Sequence, residues 1–209
     1  MTEMSVDQKK ELQLADLLAQ VNALNKVQAV IEFNMDGTII TANDNFLSTL
    51  GYSLEEVVGQ HHSMFVEPHF KASNEYKVFW ESLNRGEFES KEYKRLGKGG
   101  KEVWIQASYN PILDLNGKPY KVVKFATDVT AQKLQSADFS GQIDAISKAQ
   151  AVIEFNMDGT IITANDNFLS TLGYRLEEVQ GQHHSMFVEP HFKASNEYKV
   201  FWESLNRGE

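Results

Sequence analysis

Residues 29–87 return at 151–209 with a constant offset of 122, and only two of the 59 pairs differ: Ser53 against Arg175 and Val58 against Gln180. Solenoid repeats have periods of about 20–50 residues, so a period this long points to two tandem domains, each with its own core. The offset continues more weakly upstream, where VNALNKVQ (21–28) faces IDAISKAQ (143–150). Residues 88–130 have no counterpart after Glu209. The expected division is an N-terminal helix over 1–27, a first domain over 28–130, a linker helix over 131–149, and a second domain over 150–209 cut after its long helix. The sequence is expected to be the N-terminal piece of a longer protein.

Local patterning fills in the first domain. Residues 6–27 read as a helix, with Leu14, Leu17, Val21, Leu24 and Gln28 at alternating spacings of three and four, the spacing of a helix that packs along one seam. AVIEFN, NMDGT and TIITAN read as strand, turn and strand, because Asp36-Gly37 supplies a positive-φ hairpin turn. NDNFLSTLGYSLEEVVG follows as two short helices. Asn43 or Asp44 can cap the first and Gly51 can end it. Ser53 with Glu56 fits a capping box for the second, and Arg175 in the repeat predicts a weaker cap there. Pro68 to Arg85 reads as one longer helix with Phe70, Tyr76, Phe79, Trp80 and Leu83 on its apolar face. Three strands joined by GKGG and NGKP turns complete the domain. In the middle strand Val103, Ile105, Ala107 and Tyr109 share a face. Two strands, a helical block and three strands imply an antiparallel sheet with helices on one face, an α+β fold.

Composition narrows the chemistry. The net charge of −9 disfavours nucleic acid and anionic membrane as partners. The absence of cysteine excludes disulfides, thiolate nucleophiles, Cys-based zinc sites and cysteine-adduct photochemistry. No apolar run approaches the roughly 20 residues of a membrane span, and the N-terminus lacks a secretory h-region, so the cytoplasm is the expected compartment. All six histidines lie in GQHHSMFVEPHF (59–70) and its copy (181–192). Adjacent helical residues point about 100° apart, so His61 and His62 would not face one ion. No HExxH or carboxylate-rich set supports zinc either, and the expectation is no metal site. GKGG (97–100) lies between strands and is too short for a phosphate loop. Ser63 lacks an orienting acid, so no catalytic residue is expected and the chain is not read as an enzyme. KEYKR (91–95) reads as the solvated face of a strand.

DGTIITANDNFLSTLGYSLEEVVGQ, the RLGKGGKEVW hairpin, and YKVVKFATDVT leading into a helix together resemble a PAS domain, over about 28–130 and again over 150–209. The HHSMFVEP segment is similar to the tandem PAS modules of soluble methyl-accepting chemotaxis transducers, including the biofilm-dispersion type. The resemblance implies a PAS fold: a five-stranded antiparallel sheet with short helices on one face around a pocket, flanked by N-terminal and linker helices. Haem and flavin are the pocket ligands it leaves open. Oxygen-sensing relatives carry a proximal histidine partway along the long helix, which falls near Asn74 here and cannot serve; other haem-binding relatives place the ligand on the short helical turn, where His61 or His62 could reach. A flavin would draw on Trp80, Asn43, Asn45, Phe65 and neighbouring Phe46 and Phe79. The competing expectation is that these aromatics are core and the histidines are local structure at the pocket's rim.

For function, the resemblance implies a sensory module that relays a ligand or redox change from the last strands through Asp128 and Thr130 into the helix at 131–150. It also implies a homodimer through helices, and chemotaxis signalling proteins reached through a domain beyond Glu209. A histidine kinase or diguanylate cyclase output, or a ligand-free dimerisation module, are the alternative readings.

Overall fold

The computed structural model describes residues 5–209, which form two compact units, one extending through Leu134 and the other over Gln135–Glu209. Residues 1–4 of the expected N-terminal helix lie outside the described residues. The helix itself, α1 (Val6–Val27), opens on a capping box between Ser5 and Gln8. Its seam residues Leu14, Leu17, Val21 and Leu24 are all exposed.

In the first unit β1 (Ala29–Asn34) and β2 (Ile39–Ala42) form the expected hairpin. The helical block contains α2 (Asp44–Leu50), α3 (Leu54–Val57), a 3₁₀ turn at His62–Phe65, α4 (Pro68–Lys71) and α5 (Asn74–Asn84). The expected single helix from Pro68 to Arg85 is therefore two. The chain breaks at Ser73, whose hydroxyl accepts the Tyr76 N–H at 3.2 Å and caps α5, a use of serine that competes with continuing a helix. The strands β3 (Glu89–Leu96), β4 (Glu102–Leu113) and β5 (Pro119–Asp128) follow. All pairings are antiparallel, in the order β2-β1-β5-β4-β3.

The core lies between the helices and one face of this sheet. Ile31 and Phe33 from β1, Val122 and Ala126 from β5, and Val103, Ile105, Ala107 and Tyr109 from β4 supply the sheet side. Phe46, Leu50, Val57, Phe65, Phe79 and Leu83 supply the helical side. The strict alternation along β4 is the period-2 pattern of a strand with one face covered.

The helix α6 (Thr130–Ala149) begins in the first unit and ends in the second. The second unit repeats the hairpin as β6 (Ile153–Phe155) and β7 (Ile161–Ala164). It continues with α7 (Asp166–Leu172), α8 (Leu176–Val179), α9 (Pro190–Lys193) and α10 (Asn196–Asn206). Phe201 and Leu205 are 44% and 37% exposed, whereas their equivalents Phe79 and Leu83 are 6% and 0% exposed beneath β3–β5. The backbone half of the capping box is kept in α8, where the Arg175 N–H donates to Glu178 at 2.8 Å as the Ser53 N–H does to Glu56 at 2.9 Å; an arginine has no side-chain acceptor for the other half.

Candidate functional site

The hairpin turn and the following loop place the two adjacent histidines in different environments. Gly37 takes φ +85°, and a Cβ there would lie 2.6 Å from His61 Nε2 and 2.9 Å from Trp80, so the turn requires glycine both for its left-handed backbone and for space. The His62 N–H donates to the Gly37 carbonyl at 2.8 Å. His61 closes this corner. Its Nδ1 accepts the Ser63 N–H at 3.1 Å, which leaves Nε2–H to donate to the Asp36 carbonyl at 2.9 Å. His61 thus caps the 3₁₀ turn with one nitrogen and fastens the hairpin with the other.

His62 is fully buried, which corrects the expectation that both histidines sit at a rim. Its ring stacks on Tyr76 at 5.7 Å between centroids and meets Phe33, Trp80 and Tyr109 edge-on. Nδ1 lies 2.8 Å from Tyr76 Oη and Nε2 lies 3.0 Å from Tyr109 Oη. Burial, followed by the charges of Arg95 and Lys124, holds the His62 pKa well below its ordinary value, so the imidazole is neutral at pH 7. Arg95 Nη2 donates to Tyr109 Oη at 3.1 Å. The arrangement that satisfies every donor then runs in one direction. Arg95 donates to Tyr109, Tyr109 O–H donates to His62 Nε2, and His62 Nδ1–H donates to Tyr76 Oη. Burial pushes the Tyr76 hydroxyl up to about 12, and raises Tyr109 as well, so both remain protonated.

Two cations complete this core. Lys124, on β5, is fully buried, with Nζ 4.9 Å from the Tyr109 ring centroid and 5.4 Å from that of Phe46. Arg95, on β3, is 3% exposed and lies 4.4 Å over Tyr93. The segment KEYKR is thus not a solvated face throughout. Tyr93 and Arg95 point inward, because β3 pairs with β4 in a register that sets Tyr93 opposite Ile105 and Arg95 opposite Val103. Sequence reasoning missed both cations. The one available signal was their position: Arg95 falls two residues from Tyr93, and Lys124 falls between Val122 and Ala126 on the inward period of β5.

The remaining candidate residues do not form one ligand set. Phe65 is core, packed edge-on to Phe46 and Tyr52. Trp80 is half-buried beside both histidines. Asn43 and Asn45 face the end of α1 instead. Asn43 Oδ1 accepts the N–H groups of Phe46 and Val30 at 3.0 and 2.9 Å, while its Nδ2 donates to the carbonyls of Asn25 and Gln28 at 3.0 and 2.8 Å. Asn45 Nδ2 reaches the carbonyls of Asn25, Lys26 and Gln28 within 3.2 Å. The pair therefore satisfies carbonyls that a helix C-terminus leaves open. The second unit repeats the clasp on α6, where Asn165 reaches the carbonyls of Ser147 and Gln150 at 2.7 Å each and Asn167 those of Ser147, Lys148 and Gln150. Its buried network is shorter. His184 keeps the 2.9 Å contact with Tyr198 Oη but is only half-buried.

These contacts decide how the two groups left open by the resemblance fit. A haem iron needs a free imidazole nitrogen, yet all four ring nitrogens of His61 and His62 are in hydrogen bonds. The flavin set is divided between a helix clasp and a packed core. Neither group fits the residues as arranged. Among the described residues no cluster of three or more His, Asp or Glu side chains could hold a metal ion, and no helix is long and apolar enough to cross a membrane.

At the far end of the sheet, Asp128 Oδ1 accepts the Thr130 N–H at 2.8 Å. Thr130 Oγ1 accepts the Trp104 N–H at 2.9 Å, and the Val129 N–H donates to the Trp104 carbonyl at 2.8 Å. Lys133 pairs with Glu92. The first turn of α6 is thus fastened to β3 and β4.

Comparison with known proteins places this geometry. A family model described as the PAS fold matches residues 39–126, and one described as a PAS domain matches residues 150–209. The biofilm dispersion protein BdlA of Pseudomonas aeruginosa is 41% identical over 187 residues, 90% of this chain and 45% of that protein. The aerotaxis receptor of Escherichia coli is 28% identical over 105 residues, 50% of this chain and 20% of that protein. The chain spans less than half the length of both. Among solved structures, the PAS domain of a protein from Colwellia psychrerythraea superposes with a TM-score of 0.48 and 24% identity, over 55% of this chain and 98% of that one.

Proposed function

Because the chain belongs to the PAS family, in two tandem copies, we propose that it is the sensory part of a signal transducer and that its output leaves the first unit through α6. The single observation that carries this reading is the fastening of α6 at both ends. Asp128 at the end of β5 caps its first turn, Thr130 ties it to β4, which holds Tyr109, and Lys133 ties it to β3, which holds Arg95. Asn165 and Asn167 hold its last turn to the helical block of the second unit. A change of packing around His62 and Tyr109 reaches β4 and β5 directly, and a helix gripped at its ends converts a small shift into a choice between discrete positions.

The relatives named for biofilm dispersion and aerotaxis support a chemotaxis-type output, a cytoplasmic location and a non-catalytic role for this module. The exposed seam of α1 supports a homodimer through helices. Haem and flavin are not invoked, since the side chains they would need are engaged elsewhere. The test is Asp128→Ala. With the core and the Asn clasps intact, it should leave the fold unchanged and uncouple α6. In the protein carrying its output domain, signalling should fall while β4 and β5 keep their amide-exchange protection. Undiminished signalling in that variant would refute the route through α6.

A further inference from the structure

The first unit buries two basic side chains and no acid to match them. Burying a charge is costly unless it is paired, and native cores seldom leave polar atoms unmatched. Yet among the described residues Arg95 Nε and Lys124 Nζ have no hydrogen-bond partner, and no carboxylate comes within 4.0 Å of either. The acids of the neighbouring positions are committed elsewhere: Glu67 and Glu102 to Lys94, Glu89 to Lys91, and Glu92 to Lys133. Arg95 also lines a surface groove between β3 and the α4–α5 segment. The groove has a volume of about 280 Å³ and is lined by Phe70, Tyr76, Phe79 and Tyr93.

From this geometry we infer that the groove admits an aromatic monocarboxylate, whose carboxylate is received by the buried, unpartnered Nε–H of Arg95. Three features specify the class. The guanidinium edge presents parallel N–H donors, which match a planar carboxylate bidentately. The aromatic lining suits a flat ring. Glu75 at the mouth would repel a second negative charge, whereas the neighbouring Glu89 is matched by Lys91, so dicarboxylates are disfavoured. The anion supplies the missing counter-charge and touches the Arg95–Tyr109–His62 chain, which makes it a stimulus for the sensory reading above, on which this inference rests.

The experiment is calorimetric titration of the full chain with benzoate, its neutral counterpart benzamide, succinate and inorganic phosphate. Benzoate should bind at least tenfold more tightly than the other three. Arg95→Met, which replaces an unpaired buried charge with a side chain of similar length, should remain folded and lose benzoate affinity at least tenfold. The wild-type Arg95 Nε–H resonance, followed by NMR, reads the same contact if that variant fails to fold, and it should shift on benzoate addition and not on benzamide addition. Equal binding of benzoate and benzamide, tighter binding of phosphate, retained affinity in Arg95→Met, an unmoved resonance or no binding at all would each overturn the inference. None of these outcomes bears on Asp128→Ala, which needs no added anion, so the relay reading stands or falls separately.

Discussion

Asn43 performs two separable tasks, and substitutions at this one position can divide them. In Asn43→Ala the Phe46 N–H loses its cap, a loss of about 1 kcal/mol. The Val30 N–H, in a residue only 8% exposed, loses its acceptor at about 1 kcal/mol or more. The carbonyls of Asn25 and Gln28 lose a donor at the surface, where water substitutes. The total is about 2–3 kcal/mol, equivalent to a fall of about 1 M in urea midpoint for a slope of about 2 kcal/mol/M. Asn43→Asp keeps an oxygen for both N–H groups, and aspartate caps as well as asparagine. It replaces Nδ2 by an oxygen facing the two carbonyls that Nδ2 now reaches at 3.0 and 2.8 Å. That variant should keep most of the stability of the first unit while releasing the last turn of α1. Amide exchange followed through a urea series distinguishes the two. Ile31 and Phe33 report the core of the first unit, and the Gln28 N–H, bonded to the Leu24 carbonyl at 2.9 Å, reports the helix end. Gln28 should exchange at least tenfold faster in Asn43→Asp with Ile31 little changed. An Asn43→Ala loss below about 0.5 kcal/mol, or identical Ile31 exchange in the two variants, would refute the division into cap and clasp.

Two further outcomes follow from the buried core. Tyr109→Phe removes the hydroxyl that serves both His62 Nε2 and Arg95 Nη2; leaving a buried acceptor and a charged donor unmatched should cost about 2–4 kcal/mol in urea unfolding, and a loss under about 0.5 kcal/mol would show that the network holds nothing. Burial, followed by the charge of Arg95, depresses Lys124 well below the ordinary lysine value in the folded state, so between that depressed value and about 10.5 the unfolded chain binds a proton that the folded chain does not. Stability therefore rises with pH toward the ordinary lysine value near 10.5, by at most about 1.4 kcal/mol per pH unit from this group. Lys124→Met should remove that component of the slope and raise stability at pH 7, as measured by urea midpoints between pH 7 and 10; an unchanged slope would mean that Lys124 stays charged in the core.

The legibility of the molecule divides by the range of its interactions. The turn at Asp36-Gly37, the caps at Asn43 and Gly51, the hairpins of the last three strands and the inward row from Val103 to Tyr109 all depend on neighbours a few residues away, and the sequence shows them. The break at Ser73 is equally local; an apolar face continuous from Phe70 to Leu83 concealed it. The roles of Asn43 and Asn45 were half legible. Their capping oxygen acts three residues ahead, but their amide groups reach back 15 to 20 residues to the end of α1, where no pattern marks the acceptors.

By itself the sequence determines two homologous α+β units in series, because near-identical letters under one offset must make the same local elements. It also determines which face of each strand turns inward, since that follows from a period of two. Only the tertiary structure decides what occupies that inward face. His62 and Tyr109 lie 47 positions apart and meet at 3.0 Å because β4 crosses beneath the 3₁₀ turn. Among the described residues the same letters at His184 keep, of this network, only the contact with Tyr198. Strand register, which is a property of paired chains, is what places Arg95 and Lys124, residues of a surface type, at the centre of the fold.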